Sequence, residues 1–123
     1  MQRTMILIVG VALLSFGCGA SFPVPTQKLA DAEAAQRSAR ELGADKKTAA
    51  QLNLKLADEE IESAKVQMKA GENKRADYTL LRAKTDAELA IALAREVDAK
   101  AETAKTVEAT TQKQNAKTNG AAQ

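Results

Sequence analysis

From residue 76 to residue 104, Ala76, Leu80, Ala83, Ala87, Ala90, Ala94, Val97, Ala101 and Ala104 follow one another in alternating steps of four and three. That spacing places all of them on one stripe of a helix that packs along its length. Almost every stripe residue is alanine. Small side chains let two helix axes approach closely but remove little apolar area from water each, so the stripe fixes where a neighbour sits more than it supplies a large core.

The flanking sequence supplies the neighbours. A first helix is predicted after Pro25, with Thr26 as its N-cap and Leu29, Ala32, Ala35, Ala39 and Leu42 facing inward, ended by Gly43. Glu33 and Arg37 stand four apart on its outer face, an ordinary surface pair. A second helix is predicted from an N-cap at Asp45 to Ala70, where Gly71 offers the left-handed conformation that ends helices. In it Leu54, Ile61 and Met68 repeat every seven residues, as do Ala50, Ala57 and Ala64. Large and small residues thus alternate opposite the alanine stripe. The third helix starts at Asn73 or Lys74 and keeps its pattern to about Val107. Tyr78, Leu81, Leu89 and Leu93 lie off the stripe and form a second, partly apolar face that is expected to receive the first helix.

Short connections favour helices packed beside their sequence neighbours. The fold class is therefore all-α: a three-helix antiparallel, alanine-rich bundle or hairpin with a long last helix. Helix two is expected to span about 37 Å and helix three about 52 Å or more at 1.5 Å per residue. Beyond about Asp98 the third helix must overhang, leaving Ala101, Ala104 and Val107 without a partner inside the chain. The overhang is expected to pair with another protein or a second copy, and the polar residues 110–123 to fray.

Composition narrows the chemistry. With two per cent aromatic residues in 123, little large can be buried. The net charge of +2 is the balance of 18 basic and 16 acidic residues, interspersed along the same segments without a basic stripe for phosphates, so no nucleic acid partner is expected. There is no His and one Cys, Cys18, which removes a His-dependent relay, a Cys/His metal site and an intramolecular disulfide. Asp58, Glu59, Glu60 and Glu62 are the one acidic cluster; without a loop supplying carbonyl oxygens they read as a solvated helix face rather than a calcium site. Carboxylates and lysines need a concave, water-poor site to act as acids and bases, and a bundle of this kind has little room for one. No catalytic residue, cofactor or metal ligand is assigned, and the chain is read as not an enzyme.

The amino terminus carries an address. One charge, Arg3, precedes the run from Met5 to Leu14, which is short for a membrane span and ends in small residues. Cys18 follows at once. This arrangement resembles a bacterial lipoprotein signal, which implies cleavage between Gly17 and Cys18, a diacylglycerol on the Cys18 thiol and an acyl chain on its amine. The pattern departs at Ser15, where a leucine is usual. Several lipid chains suffice for stable attachment, and by the same resemblance Gly19 directs the protein to the outer membrane, facing the periplasm. Cleavage after Ala20 is the alternative, and would leave a soluble periplasmic helical protein. Residues 1–17 are thus assigned as signal peptide, 18–25 as lipid anchor and tether, 26–109 as the helical domain and 110–123 as the tail.

Ala64, Gly71, Ala76 and Ala83 stand where a tetratricopeptide-type hairpin places its small residues, though its aromatic positions are absent. A fuller resemblance is carried by Ala32-Glu-Ala-Ala-Gln-Arg-Ser-Ala39, Leu42-Gly-Ala-Asp45, Ala64, Ala70-Gly71 and Arg82-Ala-Lys-Thr-Asp-Ala-Glu-Leu-Ala90. Over residues 25–100 the chain resembles bacterial envelope lipoproteins with the alanine-rich domain DUF4398. Some members carry a following peptidoglycan-binding domain of the outer-membrane protein A type, which these residues lack, so peptidoglycan contact has no motif behind it. The chain is also similar to the murein lipoprotein, a small lipidated alanine-rich helix, but it ends Asn119-Gly-Ala-Ala-Gln123 without the linking lysine, and its breaks at Gly43 and Gly71 favour a bundle over a rod. The expected role is a structural or protein-interaction module of the cell envelope, anchored at Cys18 and meeting its partner through Tyr78, Leu89, Leu93, Ala101, Ala104 and Val107. The alternative is an accessory or scaffold subunit of an envelope transport assembly.

Overall fold

The structure is a computed structural model that describes residues 21–120. Three α-helices run up, down and up: α1 (Thr26–Glu41), α2 (Thr48–Lys69) and α3 (Asn73–Gly120), with a 3-10 turn at Ala44–Lys46 between the first two. The all-α bundle with a long last helix is therefore as the periodicity requires. Its helix starts differ from expectation. Pro25, not Thr26, is the N-cap of α1, because the Thr26 N–H is already taken by the Val24 carbonyl at 2.9 Å. Asp45 does not cap α2. Gly43 at φ 69° turns the chain into the 3-10 segment, which holds Asp45 and delays the helix to Thr48. Ala44, fully buried, fills the corner that the detour creates.

The α2–α3 connection is as tight as the sequence implies. Gly71 at φ 76° sits just past the end of α2, its N–H bonded to the Met68 carbonyl at 3.1 Å and the next N–H, of Glu72, to the Gln67 carbonyl at 2.9 Å. This pair of bonds satisfies carbonyls that a helix end leaves orphaned. α3 then runs antiparallel to α2 and parallel to α1.

Ala76, Leu80, Ala83, Ala87, Ala90 and Ala94 are all fully buried. The upper part of the core joins Ala32 of α1, Ile61 and Ala64 of α2 and Ala76, Leu80 and Ala83 of α3, with Leu29 and Met68 packed against it. The lower part joins Ala39, Ala44, Ala50, Leu54, Ala90 and Ala94, flanked by Leu42, Ile91 and Leu93. Ile61 and Leu80 are the largest fully buried side chains, each contributing about 2 kcal/mol of burial. Apart from Leu54, the other buried apolar residues are alanine.

α1 does not lie on the Tyr78–Leu89 face. It packs beside Leu80 and Ile91, with Lys28 reaching Asp77 at 2.7 Å, so that its own Ala32 and Ala39 join the alanine stripe in the two parts of the core. Tyr78, Leu81 and Leu89 stay exposed on the opposite side of α3.

Candidate interaction surface

The α2–α3 interface carries a polar ladder that the stripe conceals. Asn53, Glu60 and Gln67 recur every seven residues along α2, one position before Leu54, Ile61 and Met68. Gln67 is buried; it accepts a hydrogen bond from Thr79 Oγ1 at 3.0 Å and donates to Ser63 Oγ at 3.2 Å. Glu60 is buried too, with the Arg82 guanidinium against its Oε1 as an ion pair. Burial pushes its pKa up; Arg82 opposes the shift and the neighbouring Asp86 adds to it. Sequence reading had placed Glu60 in a solvated acidic face. The seven-residue spacing from Gln67 is the signal that assigns it inward instead.

Of the rest of that acidic cluster, Glu59 pairs with Lys55 of its own helix at 3.7 Å, and Asp58 and Glu62 are tied towards α1. Asp58 takes Gln36 Nε2 at 2.5 Å and pairs with Arg40, while Lys65 bridges Glu62 at 2.9 Å and Glu33 at 3.1 Å. Hydrogen bonds from Lys65 to Glu62 and Glu33 raise its pKa. Cations of the chain itself thus occupy these carboxylates. Among the described residues no group of three His, Cys, Asp or Glu side chains is placed to hold a metal ion.

Lys47 closes the lower end of the bundle. Its Nζ donates to the Leu42 carbonyl at 2.6 Å and to Asp98 Oδ2 at 2.7 Å, so one side chain ties the end of α1 and the start of α2 to α3. Past Asp98 every α3 residue through Asn119 is exposed. α3 extends roughly 33 Å beyond this bond at 1.5 Å per residue. The helix does not stop where its apolar pattern does: it continues through residues 110–120, where the polar tail was expected to fray. Its hydroxyls are satisfied within the helix and nothing in the sequence breaks it. The hydroxyls of Thr103, Thr106, Thr110, Thr111 and Thr118 each donate to the carbonyl four residues back, and no proline or internal glycine interrupts the run before Gly120.

The partner-surface residues separate accordingly. Tyr78 is 60% exposed and Leu89 45%, on the face of α3 turned away from both neighbours. Leu93 is half-buried against the lower core, so its side chain is not free for a partner. Ala101 and Ala104 are exposed on the overhang, as is Val107 at 59%. These exposed residues do not converge, being spread from the first turns of α3 to its unpaired part. Cys18, Gly17 and the signal segment lie outside the described residues. No helix of the described residues is long and apolar enough to cross a membrane.

The model of the family described as domain of unknown function DUF4398 matches residues 27–106. The chain belongs to the DUF4398 family. No curated protein and no solved structure matches it significantly. The DUF4398 match begins with α1 and ends a short way past Asp98, so it covers the whole packed bundle and only the first turns of the overhang. It includes the polar ladder, Arg82, Asp86 and both turn glycines.

Proposed function

We propose that this DUF4398 protein is a lipid-anchored structural and protein-interaction module of the cell envelope, held at the outer membrane through Cys18, facing the periplasm and without enzymatic activity. The observation that carries the reading is the division of the molecule into two ends. The chain enters α1 beside the α2–α3 turn, where Asn73 Nδ2 donates to the Phe22 carbonyl at 2.9 Å, and the unpaired part of α3 leaves from the other end. A lipid on Cys18, seven residues before Pro25, puts the first end at the bilayer. The overhang then projects away from the membrane, presenting Ala101, Ala104 and Val107 to a protein partner or a second copy.

The test is the mass of the mature amino-terminal peptide from membrane fractions, compared with a Cys18→Ser variant. The expected result is a diacylglycerol- and acyl-modified Cys18, lost in the variant together with membrane retention. A mature chain that begins at Ser21 refutes the anchor. A photo-crosslinker at Val107 then distinguishes self-association from capture of a different envelope protein, the latter being the outcome that favours an accessory subunit of a larger assembly.

A further inference from the structure

The end of the bundle at which the chain enters differs from the rest of its surface. Phe22 is 39% exposed and Val24 52%, immediately before α1, and Tyr78 stands 60% exposed in the second turn of α3. Around them Lys69, Lys74 and Arg75 are exposed. Arg75 shares Glu72 at 3.2 Å, whereas Lys69 and Lys74 have no carboxylate in ion-pair contact among the described residues. Exposed aromatic and aliphatic side chains at the same end of the bundle as exposed cations are the composition of a membrane interface, with the phenol at headgroup level and the cations on lipid phosphates.

Distance supports the same occupant. From Cys18 to Ser21 the chain reaches at most about 10 Å, and the tether is fastened to the turn through the bond between Asn73 and the Phe22 carbonyl. Tyr78 lies only about 8 Å along the helix axis from Asn73. The anchored end therefore has no room to stand off the bilayer. On the reading that Cys18 is lipidated, we infer that the surface formed by Phe22, Val24, Lys69, Lys74, Arg75 and Tyr78 seats directly on an anionic lipid headgroup layer. The bundle is then fixed in orientation by two contacts, the lipid and this surface, rather than swinging on one.

Tyr78 reports on the surface by itself, since the chain has one Tyr and no Trp. The mature protein is purified from membranes, its amino-terminal mass determined, and the protein reconstituted into vesicles of phosphatidylethanolamine and phosphatidylglycerol with or without a headgroup nitroxide. Seating predicts at least a twofold loss of Tyr78 emission with the nitroxide. That loss should largely disappear in phosphatidylcholine vesicles, at about 0.5 M salt, where screening is short-ranged, and in a K69Q/K74Q/R75Q variant that still floats with the vesicles and keeps wild-type helicity. A lipidated protein that floats but whose Tyr78 is unquenched, or quenched equally whatever the lipid charge, overturns the seating and leaves the anchor standing. A mature chain beginning at Ser21 overturns both.

Discussion

α3 is one uninterrupted helix with two different reasons to exist. From Ala76 to Ala94 its stripe is sealed against α1 and α2; beyond Asp98 the same kind of sequence, alanine with interspersed lysine and glutamate, is exposed at every residue through Asn119. The first part is stabilised by tertiary packing. The second rests on the helix propensity of its alanines, lysines, glutamates and glutamines and on pairs such as Lys100–Glu96 at 2.6 Å. Helix nucleation is costly, and the unpaired part avoids that cost by continuing from the paired one. Alanine does not distinguish the two regions. What distinguishes them is whether α2 is long enough to reach.

The largest effect that separates the regions is truncation of a large side chain. Leu80→Ala removes a fully buried residue from the junction of all three helices. It should cost about 2–5 kcal/mol in denaturant unfolding. Val107→Ala, on the exposed overhang, should stay within about 0.5 kcal/mol of wild type. Comparable losses at the two positions would mean that the overhang is packed in solution, against a second copy.

Overpacking should come next. Ala87 is fully buried within the alanine stripe, and Ala87→Leu should destabilise by about 1–3 kcal/mol because the added carbons must displace packed neighbours. Ala104→Leu has open solvent before it and good helix propensity, so thermal unfolding should shift little or upward. If Ala104→Leu instead abolishes a crosslinked complex, the overhang is the partner surface.

Backbone substitutions of similar intrinsic cost should give different readouts. Gly71 holds φ 76° with open space around its α-carbon, so Gly71→Ala carries only the conformational penalty, about 1 kcal/mol, and lowers the unfolding midpoint of the bundle. Ala109→Gly disfavours the helix by about 1 kcal/mol as well. Circular dichroism should show lost helicity there while the midpoint of the bundle stays in place.

Much of this division was legible in the sequence. The step pattern from Ala76 to Ala94 assigned the buried face residue by residue, and the mismatch of helix lengths located the end of packing at Asp98, where Lys47 now closes the bundle. The seat of α1 was not legible, because Tyr78, Leu81 and Leu89 make the more apolar flank of the stripe, whereas α1 takes the flank of Asp77 and Ile91 and brings its own small residues, Ala32 and Ala39, into the cores. Glu60 was missed for a related reason. A carboxylate among three others reads as surface, and only its place one step before Ile61 in a seven-residue repeat turns it inward. The overhang surface stays diffuse because a run of alanine and threonine presents no face that hydropathy can single out.

The smallest expected effect compares two glutamates, one inside the packed region and one where it ends. Burial raises the pKa of Glu60 in the α2–α3 interface, against the pull of Arg82; Lys100 lowers that of Glu96, on the exposed side of α3 where the bundle ends, chiefly by hydrogen bonding. Their linkage to stability has opposite sign. Folded Glu60 holds its proton more tightly than the unfolded chain, so its contribution is lost as pH rises from the ordinary carboxylate range through its raised midpoint. Glu96 contributes above its unfolded value and loses that contribution as pH falls through its lowered midpoint. Carboxyl chemical shifts followed through acid should place Glu60 above Glu96. Glu60→Gln should flatten the first slope in unfolding measured against pH, with stability at neutral pH unchanged or slightly higher, since the amide avoids a buried charge while giving up the Arg82 contact. Glu96→Gln should flatten only the second. A Glu60 midpoint below that of Glu96 would mean that the Arg82 pair outweighs burial, and that the polar ladder binds α2 to α3 as a charged contact rather than a nearly neutral one.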